Sequence, residues 1–103
     1  MSNNEKIQEI QILEQQLQAI LMQRQAFEME LNETINALSE VEKSNDDVYK
    51  ITGQIMLKTD KEKVKKELED KKNIFELRMK TIDKQENSIK TKLEESKKQI
   101  VQK

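Results

Sequence analysis

Two long stretches of this chain repeat apolar residues at alternating steps of three and four, and a short central segment interrupts the repeat. The ten seam positions of the first stretch are Ile10, Leu13, Leu17, Ile20, Arg24, Phe27, Leu31, Thr34, Leu38 and Val41. Eight of them are apolar. The ten seam positions of the second stretch are Leu68, Lys72, Phe75, Met79, Ile82, Glu86, Ile89, Leu93, Ser96 and Ile100. Seven of them are apolar. An average spacing of 3.5 residues is typical of a coiled-coil seam.

The spacing predicts two helices, over residues 5–44 and 60–101, each about 60 Å long at 1.5 Å per residue. The absence of proline, the single glycine and the 38% of charged residues favour long helices over a compact globule. Thr59 and Glu62 fit a capping box at the start of the second helix, and Asp60 adds negative charge there.

The two seams match layer by layer when the helices are placed antiparallel. The matched layers are Leu13 with Leu93, Leu17 with Ile89, Phe27 with Met79, Leu31 with Phe75, and Leu38 with Leu68. A shift of one heptad also matches many apolar residues, so the central turn must help to select the register. The chain is therefore expected to fold back at its midpoint as one domain, residues 1–103.

Two imperfect layers carry polar residues. Arg24 is expected to face Ile82, with Glu86 one layer away, so an Arg24–Glu86 ion pair is predicted. Such a pair fixes register more than it stabilises, because desolvating both charges offsets much of their attraction. Thr34 opposite Lys72 makes a weak layer.

The central segment, VYKITGQIMLKTD, is rich in strand-forming residues on both sides of Gly53. It predicts a β-hairpin over residues 47–58. A Gly53-Gln54 loop suits a turn with glycine first, whereas a Thr52-Gly53 loop would force a β-branched residue to positive φ. The pattern leaves this register open.

A lone two-stranded hairpin is marginal in water, and two slender helices cannot cover its apolar side chains. We therefore expect hairpins of several chains to join into a shared sheet or barrel. The residues assigned to this association are Val48, Tyr49, Ile51, Gly53, Ile55, Met56 and Leu57.

The central residues resemble the signature of the beta-class prefoldin subunits. The resemblance rests on Val48-Tyr49-Lys50, Gly53, Leu57-Lys58 and Asp60-Lys61-Glu62, and extends to Leu31-Asn32-Glu33 and Lys84-Gln85-Glu86. It implies a mostly α fold, in which an antiparallel two-helix coiled coil is joined by a central hairpin that assembles with other subunits into a β-barrel base. The chain ends directly after its helix, whereas many archaeal relatives carry a Gly- or Met-rich tail.

The same resemblance implies a function and its partners. The implied assembly is a hexamer with two alpha-type and four beta subunits. The implied function is an ATP-independent chaperone activity toward unfolded client proteins, which are then delivered to a group II chaperonin. No cofactor is implied.

The predicted fold-back brings both termini to one helix tip. We expect more apolar side chains there than a two-helix tip can bury, and helix ends fray. The residues expected to contact clients are Ile7, Ile10, Ile12, Leu13, Leu93, Ile100 and Val101. An equally open interpretation from the sequence alone is that they close the end of the coiled coil.

Composition argues against several other functions. Without His or Cys, thiol chemistry and most transition-metal sites are excluded, and no pocket for an enzyme is expected. A net charge of −1 and a single basic residue in 2–18 disfavour nucleic-acid binding. No membrane span or secretion signal is recognised, so a cytoplasmic location is expected. A structural coiled-coil tether or scaffold is the alternative, but it leaves Gly53 and the strand-like patch unexplained.

Overall fold

The computed structural model describes residues 2–45 and 47–101. The element order is α1 (Asn3–Lys43), β1 (Val48–Thr52), β2 (Ile55–Thr59) and α2 (Lys61–Val101). Two long helices joined by an antiparallel hairpin confirm the mostly α fold class. The observed element ends lie within two residues of the predicted ones. The described residues form two compact units, one holding those up to Phe27 and from Arg78 onward, the other holding Glu28–Leu77.

Each helix is preceded by a residue whose side chain accepts a hydrogen bond from a backbone amide of the first turn. Ser2 Oγ accepts from the Glu5 amide at 3.2 Å, and Asp60 Oδ1 accepts from the Glu62 amide at 3.1 Å. The Asp60 carbonyl also accepts the first helical bond of α2, from Val64. The N-cap of α2 is therefore Asp60, and the expected capping box with Thr59 as its cap is wrong by one residue. A carboxylate suits this place because it pairs with free amides and with the positive end of the helix dipole.

In the unit that contains the start of α1 and the end of α2, the core is a narrow seam between the two helices. Leu13, Ile82 and Leu93 are buried there, together with the small polar Ser96. Glu14 pairs with Lys97 at 3.7 Å, and Arg24, further along α1, pairs with Glu86, which comes earlier in α2. The two helices therefore run antiparallel within this unit.

A charged cluster interrupts the same seam. Arg24 Nη2 donates to Glu86 Oε2 at 2.6 Å, which confirms the predicted ion pair, and also to Asp83, which was not expected. The other Glu86 oxygen pairs with Lys90 at 3.3 Å. Glu86 is buried, and its two oxygens are thereby both paired, as a buried carboxylate requires. Arg24 Nε is buried and has no hydrogen-bond partner among the described residues.

In the unit formed by Glu28–Leu77, ion pairs join the two helices, and α2 contributes a buried aromatic residue. Phe75 is buried, and the Lys71 ammonium lies 5.8 Å from its ring centroid. Lys71 also reaches Glu30 at 4.0 Å. Thr34 is buried and donates to the Glu30 carbonyl of its own helix, so this weak layer leaves no hydroxyl unsatisfied.

The hairpin turn decides the register that the sequence left open. Thr52 pairs with Ile55, so Gly53 and Gln54 form the two-residue loop. Gly53 has φ +61°, and no other described residue has positive φ. Glycine therefore occupies the first loop position in the left-handed region, as in a type II′ turn, whose twist matches that of the strands.

Candidate functional site

The hairpin presents apolar side chains on both of its faces. Residues opposite each other in an antiparallel pair share a face, and neighbours along a strand alternate. Ile51 lies opposite Met56, and both share a face with Tyr49. Ile55 and Leu57 lie on the other face. A hairpin packed on one side against its own helices would be polar on the opposite side, and this one is not.

These side chains remain largely in solvent in the single chain. Tyr49, Ile51, Ile55, Met56 and Leu57 are each between 53% and 70% exposed. In the described part of the chain the sheet contains β1 and β2 alone, so the outer edge of each strand keeps unpaired backbone groups. Exposed apolar faces together with open edges favour the addition of further strands. We call Val48–Thr52 and Ile55–Thr59 with their turn the hairpin surface.

A cleft of about 310 Å³ lies beside the hairpin surface. It is lined by Tyr49 and Lys50 of β1 and by Val64, Glu67, Leu68 and Lys71 of α2. Two of these lining residues, Lys50 and Glu67, form an ion pair at 3.6 Å. An incoming side chain would find both apolar contacts and a polar margin here.

Lys61 stabilises the base of the hairpin surface through two hydrogen bonds that the sequence did not predict. Its ammonium donates to the carbonyl oxygens of Ser44 at 2.9 Å and Glu42 at 3.3 Å. The Glu42 carbonyl lies in the last turn of α1 and the Ser44 carbonyl just beyond it, where helical partners run out. A lysine near a helix C-terminus is favourable, but this one comes from α2, and no local pattern signals such a contact.

The residues assigned to the helix tip fall into three classes. Ile7 and Ile12 are exposed, at 44% and 55%, and Ile10 and Ile100 are half-buried. Leu13 and Leu93 are buried in the seam. The backbone of Val101 is helical, and its side chain lies outside the described residues. Two of the assigned residues are therefore exposed to solvent, and two are part of the buried seam.

Neither surface has the donor set of a metal site. Among the described residues, no group of three or more His, Cys, Asp or Glu side chains is arranged to hold an ion. No described helix contains a segment that is both long and apolar enough to span a bilayer.

Comparison with known proteins agrees with this geometry. The sequence model of the family described as Prefoldin subunit matches residues 4–103. A prefoldin subunit beta of Sulfurisphaera tokodaii is 42% identical over 93 residues, covering 88% of this chain and 74% of that protein. A prefoldin subunit beta of Archaeoglobus fulgidus is 40% identical over 96 residues, covering 91% and 83%.

The fold has a solved counterpart as well. The crystal structure of the prefoldin beta subunit from Thermococcus strain KS-1 superposes with a TM-score of 0.88 at 35% identity, covering 95% of this chain and 88% of that one. The match includes the two helices and the hairpin between them, so sequence and structure agree on one assignment. The chain belongs to the prefoldin subunit family.

Proposed function

We propose that this chain is a beta-class subunit of an ATP-independent chaperone. It joins alpha-type subunits through its hairpin surface, holds non-native polypeptides at its helix tip, and passes them to a group II chaperonin. The proposed assembly is a hexamer of two alpha-type and four beta subunits that acts in the cytoplasm. The observation that carries the proposal is a hairpin with apolar side chains exposed on both faces and two open edges.

The hairpin surface supports assembly on energetic grounds. Fully burying a large aliphatic side chain is worth roughly 1.5–3 kcal/mol, and four such residues here, Ile51, Ile55, Met56 and Leu57, are still more than half exposed. Strands from neighbouring chains would cover these side chains and pair the free backbone edges at the same time. The single hairpin resembles the beta class, since the alpha class carries two hairpins. An alpha-type partner is what this resemblance implies.

The helix tip supports weak and reversible client binding. Apolar contact returns roughly 25 cal/mol per Å², so a tip that buries about 200 Å² gains at most some 5 kcal/mol before entropy losses. Ile7 and Ile12 are already exposed to a client, whereas Leu13 and Leu93 can contact a client only when the two helices separate at the tip. Several tips on one client would gain avidity through effective concentration, which suits release without a nucleotide.

A truncation tests client capture separately from assembly. Deleting residues 1–9 and 98–103 removes Ile7, Ile100 and Val101 and leaves the hairpin surface unchanged. We expect the truncated chain to form the same oligomer with an alpha-type partner and to suppress aggregation of a chemically denatured model protein much less well. Full suppression by an intact truncated oligomer would refute the role of the tip.

A further inference from the structure

A second apolar surface lies along the side of the helix pair, in the unit that ends at Phe27 and resumes at Arg78. It is a groove of about 620 Å³ whose floor is formed by the half-buried side chains of Ile20 and Ile89. Small residues border the floor on both sides, Ala19 from α1 and Ser88 from α2. Small borders allow another backbone to approach closely.

The groove continues toward Phe27. A further section of about 270 Å³ is lined by Gln23, Phe27 and Thr81, and the two sections share Gln85. The stretch from Gln16 to Phe27 spans roughly 16 Å of helix at 1.5 Å per residue. Three turns of an added helix would fit along it.

The two walls of this groove differ in charge. The α2 wall carries Arg78, Lys84 and Lys92, whereas the α1 wall carries neutral residues such as Gln16 and Gln23. Among the described lining residues there is no Asp or Glu.

The two lysines of the α2 wall differ from its arginine in their contacts within the described residues. Lys84 and Lys92 form no ion pair with any described residue, and Arg78 lies over the Phe27 ring at 5.6 Å. Asp83 and Glu86 of α2 pair with Arg24, and Glu86 also pairs with Lys90. The groove therefore combines an apolar floor with one basic margin.

We propose that this groove binds an amphipathic α-helix that carries Asp or Glu along one margin of its apolar stripe. The apolar stripe would cover Ile20 and Ile89, and the carboxylates would meet Lys84 and Lys92. These lysines are roughly 12 Å apart along α2, so the complementary carboxylates stand seven or eight residues apart. A helix laid in a groove by its apolar face is a common mode of peptide recognition. The site is distinct from the helix tip and adds selectivity for partly folded, acidic segments.

Two synthetic helical peptides provide the probe. They share one leucine stripe and differ in one margin, which carries glutamates in the first peptide and lysines in the second. Fluorescence anisotropy with the full chain should show that the glutamate peptide binds about tenfold more tightly at low salt. The preference should disappear near 1 M salt, where charges are screened beyond roughly 3 Å.

Matched variants locate the binding site. Lys84→Glu with Lys92→Glu should invert the preference, whereas the neutral Lys84→Gln with Lys92→Gln should abolish it. The control, Lys63→Glu with Lys66→Glu, changes the net charge equally at exposed lysines of the other unit and should alter Kd less than about twofold. Ala19→Gln fills the groove without charge and should weaken both peptides. Glutamine and glutamate are good helix formers, so the variants keep α1 and α2.

Three results would overturn this proposal. One is equal affinity for both peptides, and another is an unchanged preference after charge reversal at Lys84 and Lys92. The third is a change in sedimentation mass of the chain on Ala19→Gln, which would assign the groove to a second copy of the chain. Deletion of residues 1–9 and 98–103 leaves the groove intact, so peptide binding and client capture by the tip can fail independently.

Discussion

Replacing Ile51 and Ile55 by threonine tests whether the hairpin surface is an association surface. The two residues lie on opposite faces of the hairpin and are 70% and 60% exposed. Because full burial of an isoleucine is worth about 1.5–3 kcal/mol, assembly can still gain roughly 1–2 kcal/mol from each. The double variant Ile51→Thr/Ile55→Thr should therefore weaken assembly with an alpha-type partner by about 30-fold to several hundred-fold.

The same substitution should leave the isolated chain nearly as stable as before. Threonine keeps the β-branched shape that suits a strand, and exposed substitutions usually change the free energy of unfolding by less than about 0.5 kcal/mol. Sedimentation velocity measures assembly, and urea denaturation of the dilute chain measures its stability. Ile74→Thr, which removes a 49% exposed isoleucine outside the hairpin, is the matched control and should assemble as the original chain does.

Two outcomes would refute this reasoning. Assembly of the double variant at the original affinity would show that the hairpin surface is not the interface. A loss of more than about 1 kcal/mol in the unfolding free energy of the dilute chain would show that these isoleucines already belong to the core of the protomer.

Two further substitutions test the turn and the charged seam. The added methyl group of Gly53→Ala meets no atom within 4 Å, but the residue must keep φ +61°, and this strain should cost about 1 kcal/mol. Amide exchange in β1 and β2 should therefore become roughly fivefold faster, and unchanged exchange would contradict this. Arg24→Met leaves the buried Glu86 with Lys90 as its remaining partner and should lower the unfolding free energy in urea by about 2 kcal/mol. Arg24→Met with Glu86→Leu should recover most of that loss, and a double variant as unstable as the single one would contradict it.

Periodicity predicted those features that depend on which face of a helix a residue occupies. It placed the seam, the antiparallel pairing and the Arg24–Glu86 contact, because heptad positions fix which side chains meet. It did not predict the contact of Arg24 with Asp83, which depends on how far a flexible side chain reaches from its own layer. The length of the hairpin was predicted to within a residue, but its register became clear only from the backbone of Gly53.

Contacts between distant parts of the sequence were harder to predict. Lys61 donates to the carbonyls of Ser44 and Glu42, which precede it by 17 and 19 residues in the sequence. A helical pattern contains no signal for such a bond. The side groove depends on the difference between a neutral wall and a basic wall, and each helix alone shows half of that contrast. The residues assigned to the tip were grouped by their place in the chain, whereas solvent exposure separates Ile7 and Ile12 from Leu13 and Leu93.

Native mass spectrometry of the chain, with and without an alpha-type partner, tests the central claim most directly. The account predicts a hexamer that contains two alpha-type subunits and four copies of this 12.2 kDa chain, formed when the partner is added. A chain that stays monomeric with the partner at high concentration, or that forms the same stable two-chain particle with or without it, would contradict the account.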